Sequence, residues 1–190
     1  MSARLHVVLL VAAALLLVEP AAAIEPARDL AADGGEAARR GVPVLLAVTR
    51  VDCEYCAALK REILEPMRLS GDAPGRVLIR EVDVDSRQAV TGFDGARASG
   101  WSIADGYGAL FTPTVLIVGP TGEELVERII GLNTPEMYGW YLDRAISEAT
   151  VAMAGAAAAQ QPTAGEPEFD SGIDRPHAGR YIRVAEFSYF

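Results

Sequence analysis

Apolar residues along this chain come in short blocks that turn-forming residues separate. The run VPVLLAVTR at 42–50 is apolar over the length of a strand, as expected for a strand buried on both faces. The run VLIREVDVD at 77–85 indicates a second strand. Residues 114–118 and 125–130 flank the turn sequence GPTG and predict an antiparallel hairpin.

Segments of helical composition alternate with these strands. Residues 26–40 form the first, with a weak interruption at the pair 34–35, where two glycines stand. The pattern predicts a second helix over 53–65, with Asp52 as a suitable N-cap residue and Pro66 stopping or kinking it.

The remaining segments are shorter, apart from a final amphipathic helix. We predict a turn at 70–76, irregular structure at 86–100, and a short helix capped by Ser99 or Ser102. Pro135 stands at the first position of the last helix. The apolar positions of that helix include Met137, Tyr141, Leu142, Ala145 and Ile146.

The order of these elements is α-β-α-β-α-β-β-α. A strand–helix–strand unit predicts parallel pairing, and the hairpin that follows adds antiparallel pairing. The fold class is therefore predicted to be α/β, with a mixed central sheet covered by helices on both faces.

The two ends of the chain differ in character from its middle. Arg4, an apolar run at 7–18 and the small residues up to Ala23 are typical of a cleaved secretory signal peptide over residues 1–23. The alternative is an uncleaved anchor, which the shortness of the run disfavours, since a span needs about 20 residues. We expect a domain over 24–149 and a flexible tail over 150–190, of which the last ~10 residues are apolar enough to dock as a strand.

Charge and compartment narrow the classes of function. The chain has 190 residues and a formal net charge of -9, which argues against nucleic-acid binding because phosphates require a basic face. Export, here expected to the periplasm, places the cysteines where disulfides form and persist.

Cys53 and Cys56 are the two cysteines of the chain, and they stand at C-x-x-C spacing. A zinc site needs four ligands, and after removal of the leader the only histidine is His177 in the tail, so we predict no bound metal. The same shortage disfavours a Cys–His hydrolase. A structural disulfide closing so short a loop would stabilise the chain weakly.

Thiol–disulfide exchange is the chemistry that the pattern favours. Cys53 is predicted where a buried strand meets a helix N-terminus, whose partial positive charge favours a thiolate. Cys56 follows one turn later, placed to resolve a mixed disulfide. Pro113 precedes a predicted strand; with a cis bond, Thr112 would present its backbone beside the cysteines, ready to pair with an extended substrate. The alternative for Pro113 is an ordinary strand-start proline.

From residue 27 to residue 149 the chain resembles the thioredoxin-like family. The segments that carry the resemblance are VDCEYCAALKREIL, FTPTVLIVGPTGEE and RIIGLNTPEMYGWYL. The segment VTGFDG, followed by a short helix and FTPT, carries a finer likeness to the exported SoxW/SoxS-type thioredoxins associated with bacterial sulfur oxidation. The resemblance implies that Cys53 is the nucleophile, that Cys56 is the resolving thiol, and that a cis Pro113 packs against the disulfide. Gly131 matches the family glycine after the hairpin.

The chain also departs from the family pattern. Asp52 replaces the tryptophan that often precedes the first cysteine, and Ala47 stands where many thioredoxins have a buried aspartate that aids proton transfer. Glu62, Lys60 or water are the substitutes that we consider for that aspartate.

The neighbours of the cysteines bear on the direction of electron flow. We predict that Asp52, Glu54 and Tyr55 tune the redox properties of the pair. Negative charge beside Cys53 disfavours its thiolate, which favours a reductant over a strong oxidant.

The function predicted from the sequence is that of a periplasmic thiol-disulfide oxidoreductase, most simply one that reduces protein disulfides. We expect a monomer with no cofactor. The resemblance implies an inner-membrane thiol electron donor, with sulfur-oxidation carrier proteins or apocytochromes as targets. The alternatives are an oxidase or isomerase of the same fold, and a non-catalytic module that binds extended peptides.

Overall fold

A four-stranded mixed sheet forms the centre of the fold in a computed structural model, which describes residues 24–70 and 73–160. Strand β1 (Val44–Thr49) lies between a parallel β2 (Leu78–Asp83) and an antiparallel β5 (Thr114–Val118). The edge strand β6 (Ile129–Ile130) pairs antiparallel with β5. Every residue of β1 and β5 is buried, because these central strands are covered on both faces.

Helices pack on both faces of this sheet, as the sequence predicts. One face carries a core of residues from the sheet, from the helical segment after β1 and from the last helix: Leu45, Ile79, Ile117, Leu59, Leu64, Leu142 and Ile146. The other face packs against α1 (Leu30–Arg40) and α5 (Gly100–Gly106) through residues that include Leu30, Ala37, Leu46, Val48, Ala104 and Leu116. Two hydrophobic layers therefore enclose the sheet.

The helical segment after β1 runs further than predicted. It comprises α2 (Glu54–Ala58), a π-helical stretch (Leu59–Leu64) and α3 (Glu65–Leu69). In the π-helical stretch the N–H of Glu65 donates to the oxygen of Lys60, five residues back. Pro66 then stands in the first turn of α3, where its missing N–H is tolerated, so the helical segment does not stop there.

Two segments predicted as turn or irregular structure contain regular elements. Within the stretch predicted as a turn lies the single-turn helix α4 (Ala73–Arg76). The stretch predicted as irregular forms a small second sheet, in which β3 (Val90–Thr91) pairs antiparallel with β4 (Arg97–Ala98). These strands are two residues each, too short to leave an alternating pattern in the sequence.

The return strand of the hairpin is shorter than predicted. Only Ile129 and Ile130 pair with β5 as a strand, and Glu124 makes an isolated bridge to Val118. By contrast, Ser99 caps α5 as predicted, accepting a hydrogen bond from the N–H of Ser102.

The last helix, α6 (Pro135–Gln160), begins at Pro135 as predicted but continues past residue 149. The flexible tail that we predicted from residue 150 is therefore helical to Gln160, because its alanines favour helix even without burial. Met137 and Tyr141, predicted as apolar contacts, are exposed. Residues 161–190 of the predicted tail, and the predicted signal peptide, lie outside the described residues.

Residues 25–27 lie along the outer edge of β2. The N–H of Ala27 donates to the oxygen of Glu81, and the N–H of Glu81 donates to the oxygen of Glu25, both at 2.8 Å. The side chain of Ile24 is buried in the core. This stretch therefore anchors the start of the domain to the sheet. Among the described residues, we find no helix both long and apolar enough to span a bilayer.

Candidate active site

The two cysteines lie where β1 gives way to α2, and they form a disulfide. Cys53 is the N-cap of α2, one residue later than the predicted cap Asp52, and its sulfur accepts a hydrogen bond from the N–H of Cys56 at 3.1 Å. Asp52 instead takes a left-handed conformation with φ 58°, which aspartate tolerates better than most residues. Cys53 is partly exposed, whereas Cys56 is 1% exposed. One sulfur of the pair is thus accessible and the other is not.

The loop before β5 lies directly against Cys53. The Thr112–Pro113 peptide bond is cis. The Sγ atom of Cys53 is 3.8 Å from both the backbone oxygen and the hydroxyl oxygen of Thr112. Cys53 and Thr112 are 59 positions apart in the chain. The structure thus brings Cys53 together with Thr112 and the adjoining Pro113.

Hydrogen bonds on either side of Pro113 hold this loop in place. The hydroxyl of Thr114 donates to the oxygen of Phe111 at 2.6 Å. The N–H of Gly131 donates to the oxygen of Pro113 at 2.7 Å. Gly131 has φ 77°, a left-handed conformation that glycine adopts without strain. The glycine after the hairpin therefore helps to fix the loop that faces the cysteines.

The surface around Cys53 is apolar and acidic. Asp52, Glu54 and Tyr55 are all exposed, with the Tyr55 side chain at 65%. Val51, next to Asp52 in the chain, and Phe111, next to Thr112, are also exposed, Phe111 at 79%. Sequence reasoning missed Val51 and Phe111, although their position next to the C-x-x-C and T-P motifs was the available signal.

Two basic residues near the cysteines are each paired with a carboxylate. The Nε atom of Arg50 is 3.7 Å from Oδ2 of Asp85. The Nζ atom of Lys60 is 2.7 Å from Oε1 of Glu81. Both bases line a shallow pocket of about 480 Å³ that is formed by residues 50–54, 56, 57 and 60. The two positive charges that line this pocket are thus each paired with a carboxylate.

Of the two side chains considered as substitutes for a buried aspartate, only Lys60 lines the pocket that contains the cysteines. Ala47 is fully buried, in register with Glu81 on β2. Glu62 is exposed, forms an ion pair with its neighbour Arg61 at 2.6 Å, and does not line the pocket. Lys60 does line the pocket, with Glu81 as its partner. Sequence reasoning missed Glu81, because no local motif connects it with the cysteines.

A search for metal ligands gives a separate result. Across residues 24–70 and 73–160 we find no group of three or more histidine, cysteine, aspartate or glutamate side chains arranged to hold an ion.

Comparison with known proteins gives one family match. The family model described as thioredoxin-like domain matches residues 30–146. No curated protein matches the chain significantly.

Solved structures of thioredoxins resemble the chain. A poplar thioredoxin h is 18% identical, with a TM-score of 0.43, over 62% of this chain and 95% of that one. Trxlp from Edwardsiella tarda is 23% identical, with a TM-score of 0.43, over 62% and 96% of the two chains. The periplasmic thioredoxin SoxS from Paracoccus pantotrophus is 19% identical, with a TM-score of 0.39, over 56% and 98%. Identities this low carry no information about substrate or partner.

Proposed function

The chain belongs to the thioredoxin-like family, and from that premise we propose that it is an exported thiol-disulfide oxidoreductase that reduces disulfides in other proteins. One observation carries the proposal. The accessible sulfur of a C-x-x-C pair caps a helix and lies 3.8 Å from the backbone oxygen of Thr112, on a loop open to an incoming chain.

The proposed reaction uses the two cysteines in sequence. The thiolate of Cys53 attacks one sulfur of a substrate disulfide, and the other substrate sulfur leaves as a thiolate. Cys56 then attacks Sγ of Cys53, which releases the second substrate sulfur and forms the Cys53–Cys56 disulfide. The difference in exposure supports these roles, because a protein substrate can reach Cys53 but not Cys56.

We assign substrate binding to Thr112 and Pro113. An extended substrate segment beside Cys53 would hydrogen-bond to the backbone of Thr112, as a strand does at a sheet edge. The exposed rings of Tyr55 and Phe111, next to the C-x-x-C and T-P motifs in the chain, offer apolar contact to such a segment. Backbone pairing reads no side chain, so this surface suits a range of unfolded or flexible substrates.

The direction of electron flow follows from the charges around Cys53. Asp52 and Glu54 carry negative charge next to it, and the ion pairs of Arg50 and Lys60 weaken the nearby positive charge. Strong oxidants of this chemistry rely on a highly stabilised thiolate in the reduced form. We therefore propose a reducing role, with Asp52, Glu54 and Tyr55 as the tuning residues.

The cellular setting of the proposal is supported by the sequence alone. The apolar run and the small residues up to Ala23 support a signal peptide that directs export to the periplasm and is then removed. In an oxidising compartment the protein needs a supply of electrons, for which we propose an inner-membrane thiol donor. We propose sulfur-oxidation proteins as targets, on the sequence likeness to SoxW/SoxS-type thioredoxins alone. We propose that the protein acts as a monomer.

The direction can be tested by titrating the Cys53–Cys56 pair against glutathione. We expect a potential nearer to that of thioredoxin, about -270 mV, than to that of the oxidant DsbA, about -120 mV. A measured value close to the latter would contradict the reducing role and favour an oxidase.

Substitution of each cysteine tests the activity itself. With dithiothreitol as the electron donor and insulin as the substrate, Cys53→Ser should abolish the disulfide reduction that the protein catalyses. Cys56→Ser should accumulate mixed disulfides, whose partners mass spectrometry identifies. A Cys53→Ser variant that kept all partners and its cellular role would contradict the enzyme and favour the peptide-binding module.

A further inference from the structure

A polar cluster lies beneath the C-x-x-C helix, and the exchange steps above do not use it. The Nζ atom of Lys60 is 2.7 Å from Oε1 of Glu81, and the hydroxyl of Thr49 donates to the same oxygen at 2.6 Å. The side chain of Glu81 is only 14% exposed, and Thr49 is buried. Burying a carboxylate is costly, so a cluster at this place needs an explanation.

The cluster lies on the same side of the sheet as the cysteines. Glu81 is in register with Ala47, and residues that pair in register place their side chains on one face. Ala47 belongs to the core beneath the cysteine helix, so Glu81 faces that helix too. Lys60 follows Cys56 by one helical turn and lines the same pocket as both cysteines. Lys60 therefore connects Glu81 to the dithiol pocket.

Cys56 has a chemical need that this cluster can meet. Its thiol must lose a proton before its sulfur can attack, since the thiolate is the nucleophile. Cys56 is 1% exposed, so bulk water has little access to it. The proton acceptor must therefore act from within the protein, directly or through water in the pocket.

On the premise of the proposed function, we propose that Glu81 accepts the proton of Cys56 in the resolving step, through pocket water, with Lys60 and Thr49 positioning its carboxylate. The S–H bond of Cys56 breaks and its proton passes to Glu81. The electron pair left on sulfur attacks Sγ of Cys53, whose bond to the substrate sulfur breaks. The substrate leaves as a thiolate, which takes up a proton, and a dithiol donor later reduces the Cys53–Cys56 disulfide.

The other charged groups near the pocket do not fit this role. Glu62 is exposed and bonds Arg61. Asp52 and Glu54 are exposed to solvent and adjoin Cys53, not Cys56, in the chain. Arg50 is a cation and is paired with Asp85. Glu81 is the carboxylate that a neighbour of Cys56 holds in place.

The test separates the two steps in a single turnover. Reduced protein is mixed with an aromatic disulfide whose thiolate product is coloured. Attack by Cys53 releases the first coloured thiolate, and resolution by Cys56 releases the second. In Glu81→Gln, which keeps the size of the side chain but cannot take up the proton, we expect the first step to change by less than about two-fold and the second to slow by about 100-fold at neutral pH.

The dependence on pH distinguishes proton transfer from a structural effect. The defect in Glu81→Gln should shrink as pH rises, because hydroxide then removes the proton of Cys56. Glu81→Asp, which keeps the carboxylate, should resolve faster than Glu81→Gln. Glu62→Gln is the matched control, an exposed carboxylate on the helical segment that carries Cys56 and Lys60, and it should leave both steps within about two-fold of the unaltered protein.

Three outcomes would overturn the inference. An unchanged second step in Glu81→Gln, an equal slowing of both steps, or a defect that does not vary with pH would each exclude Glu81 as the acceptor. If instead the unaltered protein performs neither step, the proposed function fails as well, so the two failures are distinguishable.

Discussion

The hydroxyl of Tyr107 is a partly buried acid with two glutamates, Glu123 and Glu124, nearby. Tyr107 follows α5 and donates a hydrogen bond of 2.7 Å to the oxygen of Gly122, in the turn between β5 and β6. Burial raises the pKa of Tyr107 to about 12, and the charges of Glu124 and Glu123 add to the effect. The neutral form of this side chain is thus the one that the fold accommodates.

This shift predicts how stability changes in alkali. The unfolded chain releases the Tyr107 proton near pH 10 and the folded chain near pH 12, so the stabilisation is complete below pH 10 and is lost between these values. Its slope is at most about 1.4 kcal/mol per pH unit. Tyr107→Phe should lose less stability than the unaltered protein between pH 9 and 11, measured by urea unfolding. Equal losses in the two proteins would contradict the role of Tyr107.

The residues of the candidate site differ in how far the sequence reveals them. Cys53 and Cys56 share a local motif, and Pro113 marks the start of its own strand, so each can be found in the sequence. Glu81 cannot, because its contact with Lys60 depends on the register of β2 against β1. Local spacing thus predicts the reacting atoms, while the supporting charges require the fold.

At the scale of elements, α1 shows how closely backbones approach. A Cβ atom on Gly34 would lie 2.1 Å from the backbone oxygen of Pro120, in the turn that follows β5. At Gly35, the next position, the nearest atom is the mobile end of Arg39 at 3.7 Å. The two glycines, which the sequence pattern presents as one weak interruption, therefore differ. Gly34 is needed for the close approach of α1 to the turn after β5, whereas a side chain at Gly35 would meet no backbone.

The two positions predict stability changes of opposite sign. Gly34→Ala should destabilise the protein by about 1–3 kcal/mol, because the backbone of α1 or of the turn must shift. Gly35→Ala should stabilise it by up to about 1 kcal/mol, because alanine favours a helix more than glycine does. Chemical denaturation of both variants provides the measurement, and equal effects would contradict the close approach at Gly34.

Element boundaries were predicted best where the signal is local. Pro135 and Ser99 mark helix starts, and the structure has both. Pro66 is a poor guide to the end of the helix. A π-helical stretch precedes it, so Pro66 stands in the first turn of α3, where its missing N–H leaves no helical hydrogen bond unmade. The two-residue strands of the second sheet depend on pairing with each other, which a short sequence window does not contain.

At the scale of the whole molecule, the last helix extends further than the hydrophobic core that it packs against. Helix α6 extends to Gln160, yet the last of its residues in the core is Ala149. Among the described residues, the core packing of this helix therefore ends 11 residues before the helix itself does. Beyond this point Val151 is 73% exposed.

A pair of truncations in α6 tests this division. Leu142 is fully buried between the helix and the sheet, so Leu142→Ala should cost about 2–5 kcal/mol of unfolding free energy. Val151→Ala should change it by less than about 0.5 kcal/mol. Urea unfolding followed by circular dichroism measures both, and a large loss in Val151→Ala would show that the exposed end contributes to packing.

The stretch at residues 25–27 has a consequence for how copies of the protein meet. The edge of a sheet is a template on which another chain can add a strand, which is a common route to aggregation. Here Glu25 and Ala27 occupy the backbone groups of Glu81 on one edge, and the opposite edge strand is only two residues long. Proteolytic trimming past Ala27 would remove these bonds and uncover the first edge, so we expect a chain shortened in this way to aggregate more readily.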